Sequence, residues 1–436
     1  MLRAENRVDG RSPSRWFGWL RRGMAAIADQ GLFAVANFVL NVLLARWLSP
    51  RDYGGFSVAF ASFLLLGTMH TALLTEPMLV FASGRRADDF RTYVRSLLRL
   101  HWKGSLVAAA VLVLAAVSAA VSGHSQLAGC LAAFAAASPI ILLTWLARRA
   151  CYARLHPEYA AVGGAVYLAA MLVILTALRG FDMMSSVNAV FAMGGAGVFS
   201  LLVLLPALGL RLGEVAGQPA AISVVRDHWG YGRWALATAA LGWIPSNVFL
   251  FVLPLRGGLE AAGAFRALLN LFVPMMQATS ALGILALPVL VRRWKERPER
   301  FASLVGKLVA VFGLSAAAYG AIANLFGTPL IDWLYGGRYL EFLPSVTVLS
   351  VVPILAGVAA VIGSALRAVE RPELVFKAYL LPTLVAGTLG VFLAFRYQVP
   401  GASVGWVLIY AAASTSLAMV YVTWWSRGRP AEARMR

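Results

Sequence analysis

The sequence predicts an all-α membrane protein with about twelve transmembrane helices, arranged as two six-helix lobes around a central cavity. Three observations lead to this class: a very apolar composition, twelve apolar runs of membrane-spanning length, and a basic charge that alternates from loop to loop. Of the 436 residues, 60% are hydrophobic and 13% are charged, whereas soluble domains carry about 25% charged residues. Lipid must therefore solvate most of the apolar surface.

The twelve apolar runs fall six in each half of the chain, and each can cross about 30 Å of hydrocarbon. We number them spans 1 to 12. Spans 1 to 6 cover roughly 24–48, 54–82, 104–122, 127–147, 159–178 and 183–208. Spans 7 to 12 cover roughly 232–255, 260–290, 304–325, 342–366, 374–395 and 401–425. The predicted units are a basic N-terminal segment at 1–23, an N-terminal lobe at 24–208, an inter-lobe linker at 209–231, a C-terminal lobe at 232–425 and a tail at 426–436.

The distribution of Lys and Arg predicts the orientation. The chain carries 38 of these residues against 19 Asp and Glu, and 31 of the 38 lie on one side of the predicted spans. Cytoplasmic loops are enriched in Lys and Arg, so both termini and the inter-lobe linker are predicted to be cytoplasmic. The positive charge is spread over seven separate segments, which predicts contacts with anionic phospholipids and no surface for nucleic acid.

The two halves of the chain resemble each other at one loop. The loop after span 1 reads RDYGGF from Arg51 to Phe56, and the loop after span 7 reads EAAGAF from Glu260 to Phe265. Each has a glycine followed two residues later by phenylalanine, 209 residues apart. Two halves with an even number of spans predict parallel repeats, with a ligand site at the interface between them.

Polar side chains inside the spans are the candidate site, because each is costly in hydrocarbon and usually faces a cavity or a partner. At 100° per residue, the polar residues of span 8 share one face of the helix, and those of spans 1 and 2 do the same. Span 7 adds an asparagine beside a proline. The predicted substrate-binding residues are Arg266, Asn270, Gln277, Asn37, Asn41, Asn247, Thr68 and Thr71. Spans 1, 2, 7 and 8 are matching pairs of the two halves, so these faces are predicted to line one central cavity.

Each candidate has an alternative role that the sequence leaves open. Arg266 lies near a span end and can extend its side chain to the interface instead of lining a cavity. The Asn and Thr side chains can serve only as hydrogen bonds between helices. Asp29 and Glu76 either pair with loop arginines or act as coupling sites for a proton or a cation.

No catalytic pattern is found in the sequence. There is no Gly-x-x-x-x-Gly-Lys phosphate loop, and no His, Cys and carboxylate cluster has the spacing of metal ligands. The five histidines are scattered over different segments. We therefore expect a protein that is not an enzyme and that has no metal site and no cofactor.

Four stretches resemble the polysaccharide transport family, the O-antigen and exopolysaccharide flippases of the multidrug/oligosaccharidyl-lipid/polysaccharide exporter superfamily. They read FVLNVLLARWLSPRDYGGFSVAFASFLLL, LLTEPMLVF, WLARRACYARLHPEYA and GGLEAAGAFRALLNLFVP. The resemblance covers most of the chain and implies a bacterial inner-membrane protein with twelve spans in two lobes. It also implies positive charge in the central cavity that holds a lipid diphosphate, a role that Arg266 matches by position.

The function that the resemblance implies is translocation of an undecaprenyl-diphosphate-linked oligosaccharide repeat unit by alternating access, for O-antigen or exopolysaccharide synthesis. Its implied partners are this lipid-linked substrate and the polymerase and glycosyltransferases of the same pathway. A drug or cation antiporter of the same superfamily is the first alternative, and it should present buried carboxylates, of which Asp29 and Glu76 are the candidates. A membrane enzyme acting on lipid-linked glycans is the second, and it would need a large periplasmic loop that the spans do not leave.

Overall fold

The fold is helical throughout residues 13–82, 90–210 and 222–426, the ranges that the computed structural model describes. Most of the predicted N-terminal segment, part of the loop after span 2, half of the inter-lobe linker and nearly all of the tail lie outside these ranges. The N-terminal lobe consists of α1 (Pro13–Trp47), α2 (Pro50–His70), α3 (Glu76–Ala82), α4 (Phe90–Val121), α5 (Ser125–Ala153), α6 (Pro157–Gly180) and α7 (Ser186–Ala207). A π-helical turn, Thr71–Thr75, joins α2 to α3.

The C-terminal lobe contains nine helices, of which α12 and α13 are short. They are α8 (Ile222–Val252), α9 (Pro254–Asn270), α10 (Val273–Glu296), α11 (Phe301–Leu325), α12 (Gly327–Tyr335), α13 (Leu343–Leu349), α14 (Val352–Ala368), α15 (Pro372–Val385) and α16 (Val391–Ser426). A second π-helical turn, Ala386–Gly390, joins α15 to α16.

The helices account for the twelve predicted spans. Ten segments within the described ranges are long and apolar enough to cross a membrane, and α8, which bends by 44°, supplies an eleventh. One of the ten, Glu373–Ser426, has 54 residues, or about 80 Å of helix. Its helix is interrupted at Gln398, where φ is 56°, so this segment forms two spans. The predicted all-α architecture is thus confirmed.

Two helices extend beyond the predicted spans. Helix α4 begins at Phe90, fourteen residues before predicted span 3, and α8 begins at Ile222, within the predicted linker. The first turns of α4 alternate the exposed Arg91 and the half-buried Arg95 and Arg99 with buried apolar residues such as Val94 and Leu97. This is the pattern of an amphipathic helix, which a search for uninterrupted apolar runs does not detect.

Local sequence explains where the helices begin and bend. The Ser49 hydroxyl accepts a hydrogen bond from the Asp52 N–H at 3.1 Å, and Pro50 occupies the first turn of α2, a favoured arrangement for a helix start. Just after the π-helical turn, in α3, Pro77 has no N–H to donate to the carbonyl four residues before it. That carbonyl, of Leu73, accepts instead from Nδ1 of His228 on α8, at 2.9 Å.

The lobes meet at the predicted periplasmic end through the two repeat-related loops. A Cβ atom at Gly54 of α2 would overlap the carbonyl oxygen of Leu259 on α9. Likewise, a Cβ atom at Gly263 would overlap the carbonyl oxygen of Pro50. Gly54 and Gly263 are 209 residues apart in sequence, and so are Pro50 and Leu259, so the two contacts are copies of each other about a local two-fold axis. We call this contact the glycine crossing.

Arginine side chains surround the glycine crossing. Arg46 Nη1 donates to the carbonyl oxygen of Trp333 at 2.6 Å, and Arg338 Nη1 donates to the carbonyl oxygen of Leu48. Each bond joins the N-terminal lobe to the loop region around α12. Arg51 and Glu260, both half exposed, approach within 4.0 Å, where screening leaves little net stabilisation. Close backbone packing is therefore the main inter-lobe contact at this end.

Replacing Gly54 by Ala should weaken the glycine crossing by about 1–3 kcal/mol, because the added methyl group has no space beside Leu259. Spin labels at the exposed positions Phe181 and Leu255 should report a longer inter-lobe distance than in the wild type. Gly104→Ala is the control, since nothing lies within 4 Å of a Cβ at that position. An unchanged label distance in Gly54→Ala would contradict the proposed importance of the crossing.

Candidate functional site

A hydrogen-bonded network connects spans 1, 2 and 8 at the interface between the lobes. Arg266 Nε donates to Asn41 Oδ1 at 3.3 Å, and the Tyr53 hydroxyl donates to the same oxygen at 3.2 Å. Asn270 Nδ2 in turn donates to the Tyr53 hydroxyl at 2.9 Å. Tyr53 is fully buried, and Asn41 and Asn270 are each 2% exposed. We call these four residues the interface network.

Local structure places each member of the interface network. Tyr53 lies in the first turn of α2, one residue before the glycine crossing, and Arg266 lies one turn after Gly263 on α9. Asn270 ends α9 one turn further on, on the same face of the helix as Arg266. Asn41 points to them from α1, where its own Nδ2 donates to the Asn37 carbonyl at 2.8 Å.

Arg266 is the charged member of the network. Its guanidinium carbon lies 5.8 Å from the centre of the Phe60 ring, within the range of a cation–π contact. Among the described residues, no carboxylate lies within ion-pair distance of this side chain. It is half-buried, so the field of its charge is stronger than at an exposed surface. The site is therefore cationic, with amide and phenol groups around the charge.

The side chains of the other predicted site residues form no hydrogen bond with this network within the described ranges. Asn37, Asn247 and Thr68 each donate to a carbonyl of their own helix, at 3.0, 3.1 and 2.8 Å. Such bonds one turn back satisfy the side chain locally. Thr71 is half-buried at the start of the π-helical turn. Gln277 is exposed on α10, beyond the break between α9 and α10. Their predicted role in binding remains a prediction.

Asp29, a predicted coupling residue, forms a buried ion pair within the N-terminal lobe. Arg148 contacts both of its carboxylate oxygens, with Nη2 to Oδ2 at 2.8 Å and Nε to Oδ1 at 3.1 Å. The Tyr152 hydroxyl donates to Oδ2 at 2.7 Å, and the Phe33 ring lies 4.1 Å from the Arg148 guanidinium carbon. This bidentate geometry fixes both charges.

Glu76, the other predicted coupling residue, lies in a different setting. It is exposed, at the start of α3, and accepts a hydrogen bond from the Tyr231 hydroxyl of α8 at 3.1 Å. This bond joins the two lobes at the predicted cytoplasmic end. Neither carboxylate contacts the interface network, and their role in coupling remains a prediction. Among the described residues, no group of three or more His, Cys, Asp and Glu could hold a metal ion.

Two residues of these clusters are not marked as site residues by the sequence. Tyr53 is one residue of the loop after span 1, and its neighbours carry the repeat. Arg148 is one of the cations predicted to lie on the cytoplasmic side, but it is 7% exposed within α5. A signal for Arg148 existed: a carboxylate on the apolar helix α1 needs a charged partner, and the sequence does not indicate which arginine supplies it.

Comparisons with known proteins agree with this architecture. No family model matches the chain. It is 26% identical over 369 residues to the EPS I polysaccharide export inner membrane protein EpsE of Ralstonia solanacearum, covering 80% of this chain and 79% of that protein. It is 25% identical over 237 residues to the lipopolysaccharide biosynthesis protein WzxC of Escherichia coli K12, covering 51% of this chain and 44% of that protein.

Solved structures show the same fold at low sequence identity. An inward-facing multidrug resistance MATE transporter of the MOP superfamily matches with a TM-score of 0.71 and 14% identity, over 94% of this chain and 99% of that one. The lipid II flippase MurJ, in an inward closed conformation, matches with a TM-score of 0.71 and 12% identity, over 91% and 87%. The chain therefore has the fold of the MOP-superfamily transporters, which have twelve helices in two lobes. The predicted resemblance is confirmed, and these matches support a multi-pass inner-membrane protein.

Removing one partner of the Asp29–Arg148 pair should lower the stability by about 3–5 kcal/mol, because the remaining charge stays buried without a counter-charge. Arg148→Gln and Asp29→Asn should therefore each lower the thermal unfolding midpoint, and the double variant should lose less than the sum. Arg149→Gln, at the half-exposed neighbour, is the control. If Asp29→Asn abolished transport but left the unfolding midpoint unchanged, Asp29 would be a coupling residue instead.

Proposed function

We propose that this protein moves an undecaprenyl-diphosphate-linked oligosaccharide repeat unit across the inner membrane by alternating access, for O-antigen or exopolysaccharide synthesis. The observation that carries the proposal is the interface network, in which Arg266 has no carboxylate partner within the described part of the chain. The relatives are named for polysaccharide export and lipopolysaccharide biosynthesis, and one neighbour with this fold is a lipid flippase. Each of these supports a flippase.

The chemistry of the interface network suits an anionic, sugar-bearing head group. A guanidinium binds phosphate oxygens through charge-assisted and often bidentate hydrogen bonds. The amides of Asn41 and Asn270 and the Tyr53 hydroxyl offer both donors and acceptors, which sugar hydroxyls require. Arg266 lies eight residues beyond the break of α9 at Gly258, where φ is 67°, or about 12 Å along the helix. A cation at that depth is expensive unless it faces a cavity or a ligand.

The inter-lobe contacts support alternating access. At the predicted periplasmic end, the lobes are joined by backbone packing at the glycine crossing and by arginines bonded to carbonyl groups. No continuous secondary structure crosses between the lobes at this end in the described ranges. Opening would also separate apolar residues of both lobes that share one buried core, such as Phe56 and Phe265, while the separate core of each lobe would stay intact. Opening at this end would expose the interface network to the periplasm.

A drug or cation antiporter is less well supported. A cationic substrate needs an accessible carboxylate in the cavity, whereas Asp29 is closed by Arg148 and Glu76 lies on the surface. A membrane enzyme is not favoured either, since the relatives are named for export and biosynthesis and the fold is shared with transporters. The polymerase and glycosyltransferases of the pathway and anionic phospholipids are the partners that we expect.

Replacing Arg266 by Ala should reduce surface polysaccharide by more than tenfold, because the substrate phosphates lose their charged partner. The lipid-linked repeat unit should accumulate on the cytoplasmic side, while the amount of protein in the membrane is unchanged. Extraction and mass spectrometry of the lipid-linked repeat unit would measure this. Arg266→Lys keeps the charge and should retain part of the export.

Arg256→Ala is the matched control for this experiment. Arg256 is exposed on the same helix, and its guanidinium carbon lies 5.3 Å from the centre of the Phe395 ring, away from the network. Its replacement should leave export intact. Normal surface polysaccharide in Arg266→Ala would remove the argument for Arg266. Increased drug sensitivity on deletion of the gene, with normal polysaccharide, would favour the antiporter.

A further inference from the structure

A second cavity, of about 450 Å³, lies wholly within the C-terminal lobe, between α8, α10, α14, α15 and α16. None of the residues of the interface network lines it. Its polar lining consists of hydroxyl groups and one cation, and no Asp or Glu is among its lining residues. The polar lining residues include Arg367, Thr279, Ser280, Ser364 and Tyr379. Its volume is that of an ordinary small-ligand pocket.

Arg367 is the cation of this cavity. Its Nε donates to the carbonyl oxygen of Gly363, one turn earlier on α14, at 3.1 Å. The side chain therefore turns back along its helix towards the membrane interior, and it lines the cavity together with Tyr379 of α15. Among the described residues, no carboxylate pairs with Arg367. Arg367 is itself exposed, and Arg371, four residues later and half-exposed, pairs with Glu373 at 3.3 Å. These two arginines look alike in sequence but differ in surroundings.

Thr279 provides an independent sign of a polar ligand. Thr279 is 3% exposed and lines the cavity, and among the described residues its buried hydroxyl has no hydrogen-bond partner. Other threonines of the spans, such as Thr68 and Thr144, donate to the carbonyl four residues earlier. Leaving a buried hydroxyl without a partner costs free energy. This hydroxyl therefore keeps an unused donor beside the cavity.

The ligand class follows from these groups. An unpaired guanidinium and a free hydroxyl donor, with no acidic residue in the lining, fit a phosphate group, which offers only acceptors and negative charge. A cationic ligand would meet repulsion from Arg367 and find no counter-charge. Tyr379 and Trp406 add aromatic surface to the wall, and aromatic faces also pack against apolar rings and chains.

We propose that this cavity is a second phosphate-binding site, in which Arg367 and Thr279 hold the phosphate of the lipid-linked substrate on its way to Arg266. This inference rests on the proposed function. Thr279 lies thirteen residues beyond Arg266 along span 8, on α10 past the break that follows Asn270, and so nearer the predicted cytoplasmic end. The two sites thus lie at different depths, and the charge of the head group has a partner at each.

Binding to the full-length protein in nanodiscs of neutral lipid tests the proposal. The probes are undecaprenyl diphosphate, inorganic pyrophosphate and phosphatidylglycerol, and the dissociation constant of each is measured by native mass spectrometry. Arg367→Gln should weaken undecaprenyl diphosphate binding at least tenfold, and Thr279→Val should weaken it about threefold. Arg367→Lys should restore part of the affinity. Arg371→Gln, the matched control, should bind like the wild type.

The outcomes separate the two proposals. Equal dissociation constants for Arg367→Gln and Arg371→Gln, with an unchanged unfolding midpoint, would refute the second site and leave the flippase proposal standing. A site that loses pyrophosphate or phosphatidylglycerol binding in Arg367→Gln, but not undecaprenyl diphosphate binding, would be a site for another anion and would also refute it. Thr279→Val preserves side-chain shape and so guards against misfolding. A wild type that binds no undecaprenyl diphosphate would overturn both proposals.

Discussion

The glycine crossing is the contact on which the rest of the molecule depends. Two helix starts pack so closely that the carbonyl oxygen of one occupies the position where a Cβ atom of the other would lie. Only glycine permits this close approach. The approach occurs twice, because Gly54 and Gly263 are equivalent positions of two repeats. The close packing fixes the axis about which the lobes are related. Side-chain contacts at this end are peripheral to it.

The interface network lies within two helical turns of this crossing, and its geometry follows from that position. Tyr53 precedes one crossing glycine and Arg266 follows the other by three residues. A shift of either helix would separate the Asn270 amide from the Tyr53 hydroxyl, which are now 2.9 Å apart. The state of the inter-lobe contact is therefore coupled to the arrangement of the binding groups. In the proposed transport cycle, this coupling lets the substrate influence which end is open.

Sequence periodicity predicted which residues share a helix face, but not which faces meet. It grouped Arg266 with Asn270 and selected Asn41, because polar residues within apolar spans are few and their angular positions can be calculated. It could not find Tyr53, since a tyrosine near a span end is ordinary interfacial composition. It extended the polar face of span 8 to Gln277, but the helix is interrupted after Asn270. The contact of Arg148 with Asp29 joins residues 119 apart in sequence, a distance at which periodicity carries no information.

The partners of Arg148, Arg266 and Arg367 determine what the charge of each can do. Arg148 forms a bidentate ion pair with Asp29. Its charge therefore contributes to the stability of the N-terminal lobe and is not available to a ligand. Arg266 is held by an amide oxygen and an aromatic ring, and a phosphate can replace such neutral partners with a gain in charge pairing. The Nε atom of Arg367 donates to a backbone carbonyl, so its Nη1 and Nη2 atoms can donate to a ligand. A protein that carries a diphosphate requires cations that are held by neutral partners and not by a carboxylate. The distribution of Lys and Arg among the loops predicts the orientation of the chain in the membrane. An arginine that has no counter-charge among the described residues indicates where a substrate can bind.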